Sequence, residues 1–234
     1  MKIAIMQPYS FPYIGYFQLL NAVDTFVFYD DVSFIKKGYI NRNSILVNKE
    51  KNQFVIPCKM ISQNKRIDEI ELSFDEKARH KLLKTIKLAY RRAPYFDSFY
   101  PILEDYFLDQ SMTTISEFAI GSVKLISNFL GILTQFKQSS IEYAESINLN
   151  KTDRLIAICK KENASTYINP IGGVELYKKS DFEEHGISLK FHKSNPITYQ
   201  QFDHDFVNWL SIIDVLMFNS KEEVSVMLND YELL

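Results

Sequence analysis

The chain is poor in cysteine, lacks any long apolar run and carries almost no net charge. Its two cysteines, Cys58 and Cys159, make neither a disulfide framework nor a zinc site by themselves. Reduced thiols and a cytoplasmic location are the expectation. No stretch approaches the ~20 apolar residues that span a bilayer, so no membrane span is expected. Residues 1–7 read as a first strand, not as the basic and apolar regions of a signal peptide. A formal net charge of −2 creates no global positive field, which disfavours nucleic acid as a partner. His80, His185, His192 and His204 have no metal-ligand spacing, so no metal site is expected. Walker motif, nucleophile elbow and Rossmann glycine triplet are all missing. So are internal repeats, low-complexity tracts and flexible linkers.

What remains is a well-stocked globular chain. Its 234 residues are 46% hydrophobic, enough to bury one real core, and a single domain over 1–234 is expected. Residues 3–6 form a short apolar run, followed by a loop with Pro8 and Pro12, a helix entered at Gly15 over 16–23, and a second apolar run over 26–29 that ends in Asp30 and Asp31. The β-rich segments 43–47 and 53–57, separated by a polar turn over 48–52, predict a hairpin. Ile67, Ile70 and Leu72 suggest one more short strand. The middle third is helical, about 75–131: Asp75 caps a helix to about Arg91, and helices follow over 97–108 and 112–130, the last stopping at Gly131. A weak strand over 141–143, a helix over 152–162, strands over 166–169 and 187–191, a helix over 209–218 and a terminal helix complete the reading. The fold class is therefore α/β, a parallel-type sheet core with a β-hairpin excursion and a helical insertion in the middle third.

Polar residues gather where the predicted strands end, the edge at which parallel α/β sheets place ligands. Gln7, Tyr9, Tyr13 and Tyr16 belong to a proline-bearing loop that enters a helix. Such a loop offers backbone N–H groups to an anion, amide and hydroxyl groups, and stacking faces; a tight turn with tyrosines capping the core is the plainer alternative. Asp30 and Asp31 point to opposite sides of their strand, so one carboxylate faces the loop as a base or a hydroxyl ligand. Lys36, Lys37, Asn41, Arg42 and Asn43 make a local patch suited to a phosphate or carboxylate, which Lys59, Gln63, Asn64 and Lys65 extend. Asn169, Gly172 and Gly173 follow a later strand and permit close backbone approach, with Tyr177 one turn beyond on a candidate helix and Asp153 and Arg154 facing the same edge. Asp214, within an apolar helix, is either buried and functional or paired with a lysine.

These same residues carry a family resemblance. The stretches 6–19, 30–32 and 41–45 resemble the signature of the WbqC-like protein family, and 167–173 and 210–219 extend the likeness over almost the whole chain. The resemblance implies bacterial O-antigen or other surface-polysaccharide (lipopolysaccharide) biosynthesis. A looser similarity of placement links residues 12–16 to the His-x-Gly-His motif of nucleotidylyltransferases, with Tyr13 and Tyr16 in the two histidine positions. Together these suggest a transferase that joins an acyl or aminoacyl group to a nucleotide-linked amino sugar, with that sugar and an acyl donor as partners. Gln7, Tyr9 and Tyr16 would position the substrate, Asp30 or Asp31 would take the amine proton, and Arg42 with Lys36 would hold a phosphate or carboxylate. An ATP-dependent nucleotidyltransferase or amide ligase, and a non-catalytic sugar-binding protein, are the alternatives. The residues name no cofactor and set no oligomeric state.

Overall fold

The computed structural model describes residues 1–234. Strand β1 (Lys2–Met6) is short and apolar because both of its faces are covered, as a central parallel strand requires. The helix α1 (Ile14–Asn21) returns the chain to the parallel β2 (Thr25–Phe28), every residue of which is buried. The hairpin of β3 (Arg42–Val47) and β4 (Glu50–Val55) stands apart as its own two-stranded sheet. Its turn is tighter than the polar run suggests. Asn48 and Lys49 alone make it, both at positive φ (52° and 69°), the geometry that matches strand twist in two-residue hairpins.

The helical insertion follows. Asp75 caps α2 (Glu76–Tyr90) by accepting from the Ala78 N–H at 2.8 Å. After α3 (Phe96–Leu108), Thr114 and Glu117 form a reciprocal capping box on α4 (Ile115–Leu130), which stops at Gly131 with φ +72°. The main sheet then resumes with β5 (Gln135–Gln138), parallel to β2. Residues 141–143 are not a strand: α5 (Ser139–Glu142) occupies most of that stretch, and Ile141 is exposed. An edge strand with only Phe136 packed inward, against Phe28, hides its alternation in the sequence. The expected strand near 67–72 is instead one 3-10 turn at Ile67–Glu69, with isolated bridges from Leu72 to Cys58 and from Glu71 to Thr114.

The last third supplies α6 (Lys151–Lys161), β6 (Thr166–Pro170), α7 (Lys179–Glu183), β7 (Ser188–Ser194), α8 (Ile212–Phe218), α9 (Lys221–Met227) and a short β8 (Tyr231–Leu233), antiparallel to β7. Tyr177 precedes α7 and does not sit on a helix, and the helix read over 209–218 starts only at Ile212. The main sheet runs β5-β2-β1-β6-β7-β8. Numbered by chain order within the sheet, that is 3-2-1-4-5-6, the doubly wound order whose direction reverses between β1 and β6. Helix α1, the insertion and α8 cover one face with a core of 44 residues; α6 and α7 cover the other with 14. That imbalance puts the bulk of the molecule on the side to which the β1 loop turns. No helix is long and apolar enough to cross a membrane.

Candidate functional site

The loop after β1, residues 7–13, is a hook held from four directions. Ser10 donates from its hydroxyl to the Ile40 carbonyl at 2.7 Å. The Phe11 N–H donates to the Ser122 hydroxyl at 3.0 Å, and the Phe11 carbonyl accepts from Asn43 Nδ2 at 2.6 Å and from Ser211 Oγ at 2.7 Å. The Pro12 carbonyl accepts from the Ile212 N–H at 2.9 Å. Phe11 sits at φ +45°, a strained backbone for a large side chain, with its ring stacked 5.2 Å from Phe107. Hairpin, α4 and α8 therefore fix the hook before any ligand arrives.

The hook walls a cavity of about 370 Å³, within the range of small-molecule sites. It lies at the crevice between the carboxyl ends of β1 and β6, where the strand order reverses. Tyr9, Tyr13, Tyr16, Tyr39 and Trp209 give it aromatic walls; Met6, Pro12, Pro170 and Ile171 add apolar surface; Asn43, His192, Lys193 and Ser194 are its polar lining residues, the Lys193 ammonium being paired with Glu232 at 3.4 Å. Tyr9 lies 5.8 Å from Tyr16 and 6.0 Å from Tyr39, and Tyr13 lies 5.0 Å from Trp209. Gly15 opens α1 at the cavity, and a methyl group there would collide with the Ser194 hydroxyl and crowd the Tyr13 ring, so the serine would have to turn away.

The electrostatics are quiet. Burial pushes the phenols of Tyr9, Tyr13 and Tyr16 up, so all three are neutral donors at physiological pH. The Tyr16 hydroxyl donates to the Gln7 carbonyl at 3.0 Å, closing the hook on itself. Burial pushes the His192 imidazole down to about 4, leaving it uncharged. His192 is 4% exposed and its Nε2 has no partner within the protein. No group of three or more His, Cys, Asp or Glu side chains is placed to hold a metal ion.

Other residues singled out in the sequence lie elsewhere. Gln7 is half-buried and Asn41 is buried, donating to the Ile56 carbonyl at 3.0 Å; neither lines the cavity. Arg42 donates from Nη2 to the Lys36 carbonyl at 2.5 Å, which ties the exposed Lys36–Lys37 turn to the hairpin just beyond Tyr39. Both aspartates face away from the cavity into a sealed network. Asp30 accepts from Gln138 Nε2 at 2.6 Å, Ser140 Oγ at 2.8 Å and Ser116 Oγ at 3.1 Å. Asp31 accepts from Ser139 Oγ at 2.5 Å and from Arg154 Nη2 at 2.5 Å. Both aspartates lie beyond the end of β2, so strand alternation does not set their directions, and the Ser139 hydroxyl of α5 reaches both. Asn169 accepts from Tyr167 and touches Gly173 on the α6–α7 face of the sheet, where Tyr177 packs on Phe182; none of Asn169, Gly172, Gly173 and Tyr177 lines the cavity, which this turn reaches only through Pro170 and Ile171. Lys59 pairs with Glu71 at 2.9 Å in a separate, more open cleft beside α2 and α4. Asp214 is buried and has no lysine partner: it accepts from Tyr90, Tyr199 and Gln201 at 2.6–2.7 Å and so holds the strap that carries Trp209. Sequence reasoning missed Tyr39, His192, Ser194 and Trp209. His192 and Ser194 were legible only as an alternating pair at the end of β7, and Trp209 as the chain's single tryptophan.

Comparison with known proteins gives three findings. The model of the WbqC-like protein family matches residues 7–226. An uncharacterised protein of Mycobacterium tuberculosis is 27% identical over 230 residues, 93% of each chain. No solved structure matches.

Proposed function

The chain belongs to the WbqC-like protein family, and from the cavity's position and chemistry we propose that it is a transferase of bacterial surface-polysaccharide biosynthesis that binds a nucleotide-linked amino sugar under the hook and acylates or aminoacylates its amine. The observation that carries this reading is the pre-formed aromatic cavity at the β1–β6 reversal. Tyrosine and tryptophan faces suit a sugar ring or a nucleobase, and neutral phenols read hydroxyls without demanding a charge. The exposed Lys36–Lys37 turn beside Tyr39 suits the diphosphate that would leave the mouth. Asp30 and Asp31, occupied by their own partners, would brace α5 against the sheet, and proton removal would fall to groups within the cavity.

A thermal-shift screen of nucleotide sugars tests this. A true ligand at 100 times its dissociation constant stabilises the fold by about 2.7 kcal/mol, and Tyr39→Ala should abolish that shift. Product formation with acyl donors then separates a transferase from a sugar-binding protein. A second reading, nucleotidyl transfer from ATP, draws support from the sheet order and from α1, whose N-terminus opens at the cavity without a side-chain cap. Isothermal titration with ATP and magnesium decides between them. Tight ATP binding with no response to nucleotide sugars would replace the first reading by the second, and silence to both would remove both.

A further inference from the structure

The chain buries two arginines, Arg79 and Arg154, each to 3% exposure. Arginine keeps its charge and is almost never buried so deeply unless it is paired. Arg154 has its counter-ion in Asp31, whereas Arg79 pairs with no carboxylate. Its Nε donates to the Phe74 carbonyl at 2.7 Å. Its Nη1 donates to the carbonyls of Phe107 at 2.8 Å and Asp109 at 2.9 Å, which ties the end of α3 to the start of α2. The guanidinium carbon sits 4.7 Å over the centre of the Phe74 ring. Carbonyl dipoles and a ring face ease a buried charge without neutralising it, and burial pushes the Arg79 pKa down despite the nearby Asp109. Nη2 alone donates to no protein group, and it is not among the partnerless atoms that are sealed from solvent.

Arg79 lines the second cleft, about 640 Å³, which lies between α2 and the loop joining α3 to α4. The other charges there are Lys59, paired with Glu71 at 2.9 Å, and Asp75, whose Oδ1 is taken by the Ala78 N–H. Ser73 and Gln110 line the same cleft, exposed, with side chains that bond to no protein group. We propose that this cleft is a second ligand site, which takes the carboxylate of a small monoanionic molecule on Arg79 Nη2, with the Ser73 hydroxyl and the Gln110 amide as further donors. The ligand supplies the counter-ion that the fold withholds, through a charge-assisted hydrogen bond. Glu71 and Asp75 set the class. One negative charge balances the unpaired guanidinium, whereas a phosphate dianion also meets two carboxylates. The assignment is independent of what the aromatic cavity binds.

Sodium acetate is the probe, titrated against sodium chloride at equal ionic strength. The readout is the Arg79 Nε–H resonance in nitrogen–proton NMR, which the bond to the Phe74 carbonyl shields from exchange and which Arg79→Lys assigns by its disappearance. A saturable shift with acetate and none with chloride is expected. Substitution of Arg79 also cuts the tie to α3, so the deciding variant is Gln110→Glu, at an exposed position. It brings a carboxylate to the cleft from the protein side and should weaken acetate binding by about tenfold or more. The absence of a saturable response to acetate overturns the inference, as does an unchanged affinity in Gln110→Glu. Phosphate binding as tightly as acetate at mildly alkaline pH, where phosphate is doubly charged, overturns it too.

Discussion

The two sides of the sheet's carboxyl edge solve opposite problems. On the α5 side, Asp30 accepts from Ser116, Gln138, Ser139 and Ser140, and Asp31 from Ser139 and Arg154. On the hook side, aromatic rings enclose open space, and the His192 Nε2 lies buried without a hydrogen-bond partner. A satisfied buried network fixes geometry, whereas an aromatic-walled cavity leaves room for another molecule. The sealed side thus holds its own geometry, and the open side keeps a preformed cavity.

Removing one partner of the sealed network should give the largest effect. Asp31 and Arg154 are 1% and 3% exposed, and Arg154 lies over the Tyr29 ring at 4.8 Å. Burial opposes the Arg154 charge, but hydrogen bonding to Asp31 and the nearby Tyr29 outweigh it and push its pKa up. Asp31→Ala strands that guanidinium and should destabilise the protein by about 3–5 kcal/mol, read as a lower urea midpoint. Tyr39→Ala on the open side, where the ring is 55% exposed, should stay within about 0.5 kcal/mol. Equal midpoints for the two variants would erase the contrast between the two sides.

The next effect depends on pH. The folded His192 imidazole is held at about 4, below its ordinary 6.5. As pH falls through 6.5 the unfolded chain takes up a proton that the folded one refuses, so stability declines from there and the loss levels off below about pH 4. At 1.36 kcal/mol per unit the full loss is about 3 kcal/mol. The urea midpoint of the wild type should drop relative to His192→Phe between pH 7 and pH 4.5, with the carboxylates common to both cancelling. Parallel profiles would mean that His192 is not buried neutral.

Much of this architecture is legible in the sequence, and the gaps have physical causes. Central strands announce themselves because two covered faces demand unbroken apolar runs, as in residues 3–5 and 26–28. Edge strands such as β5 and β8 need only one inward residue and leave no pattern. The helical insertion is readable from its caps, Asp75, Thr114 with Glu117, and Gly131. For the site, Tyr9, Tyr13, Tyr16 and Asn43 meet at the cavity because chain-near residues share one loop and its anchor. The aspartates do not, because their partners come from residues more than 80 positions away, which no local pattern encodes. His192 and Trp209 reach the cavity by the same long-range route, from the far end of the chain.

The smallest effect separates strain from contact on the open side. Trp209 is held at φ +58°, a conformation that suits glycine and burdens a bulky residue. Its strap is pinned on one side by Tyr199 and Gln201 on Asp214, and on the other by the Ser211 N–H on the Ser44 carbonyl at 2.8 Å. Trp209→Ala removes the ring but keeps the strain, while Trp209→Gly removes both. The glycine variant should therefore be the more stable of the two by about 1 kcal/mol, and both should lose the ring contact with Tyr13. Equal stability would show that the strap relaxes once the ring is gone, so that the tilted ring contact with Tyr13 imposes the conformation. A difference of the expected size means that the Asp214 anchor imposes it, and the strap then presents an aromatic face to the cavity whether or not a ligand is there.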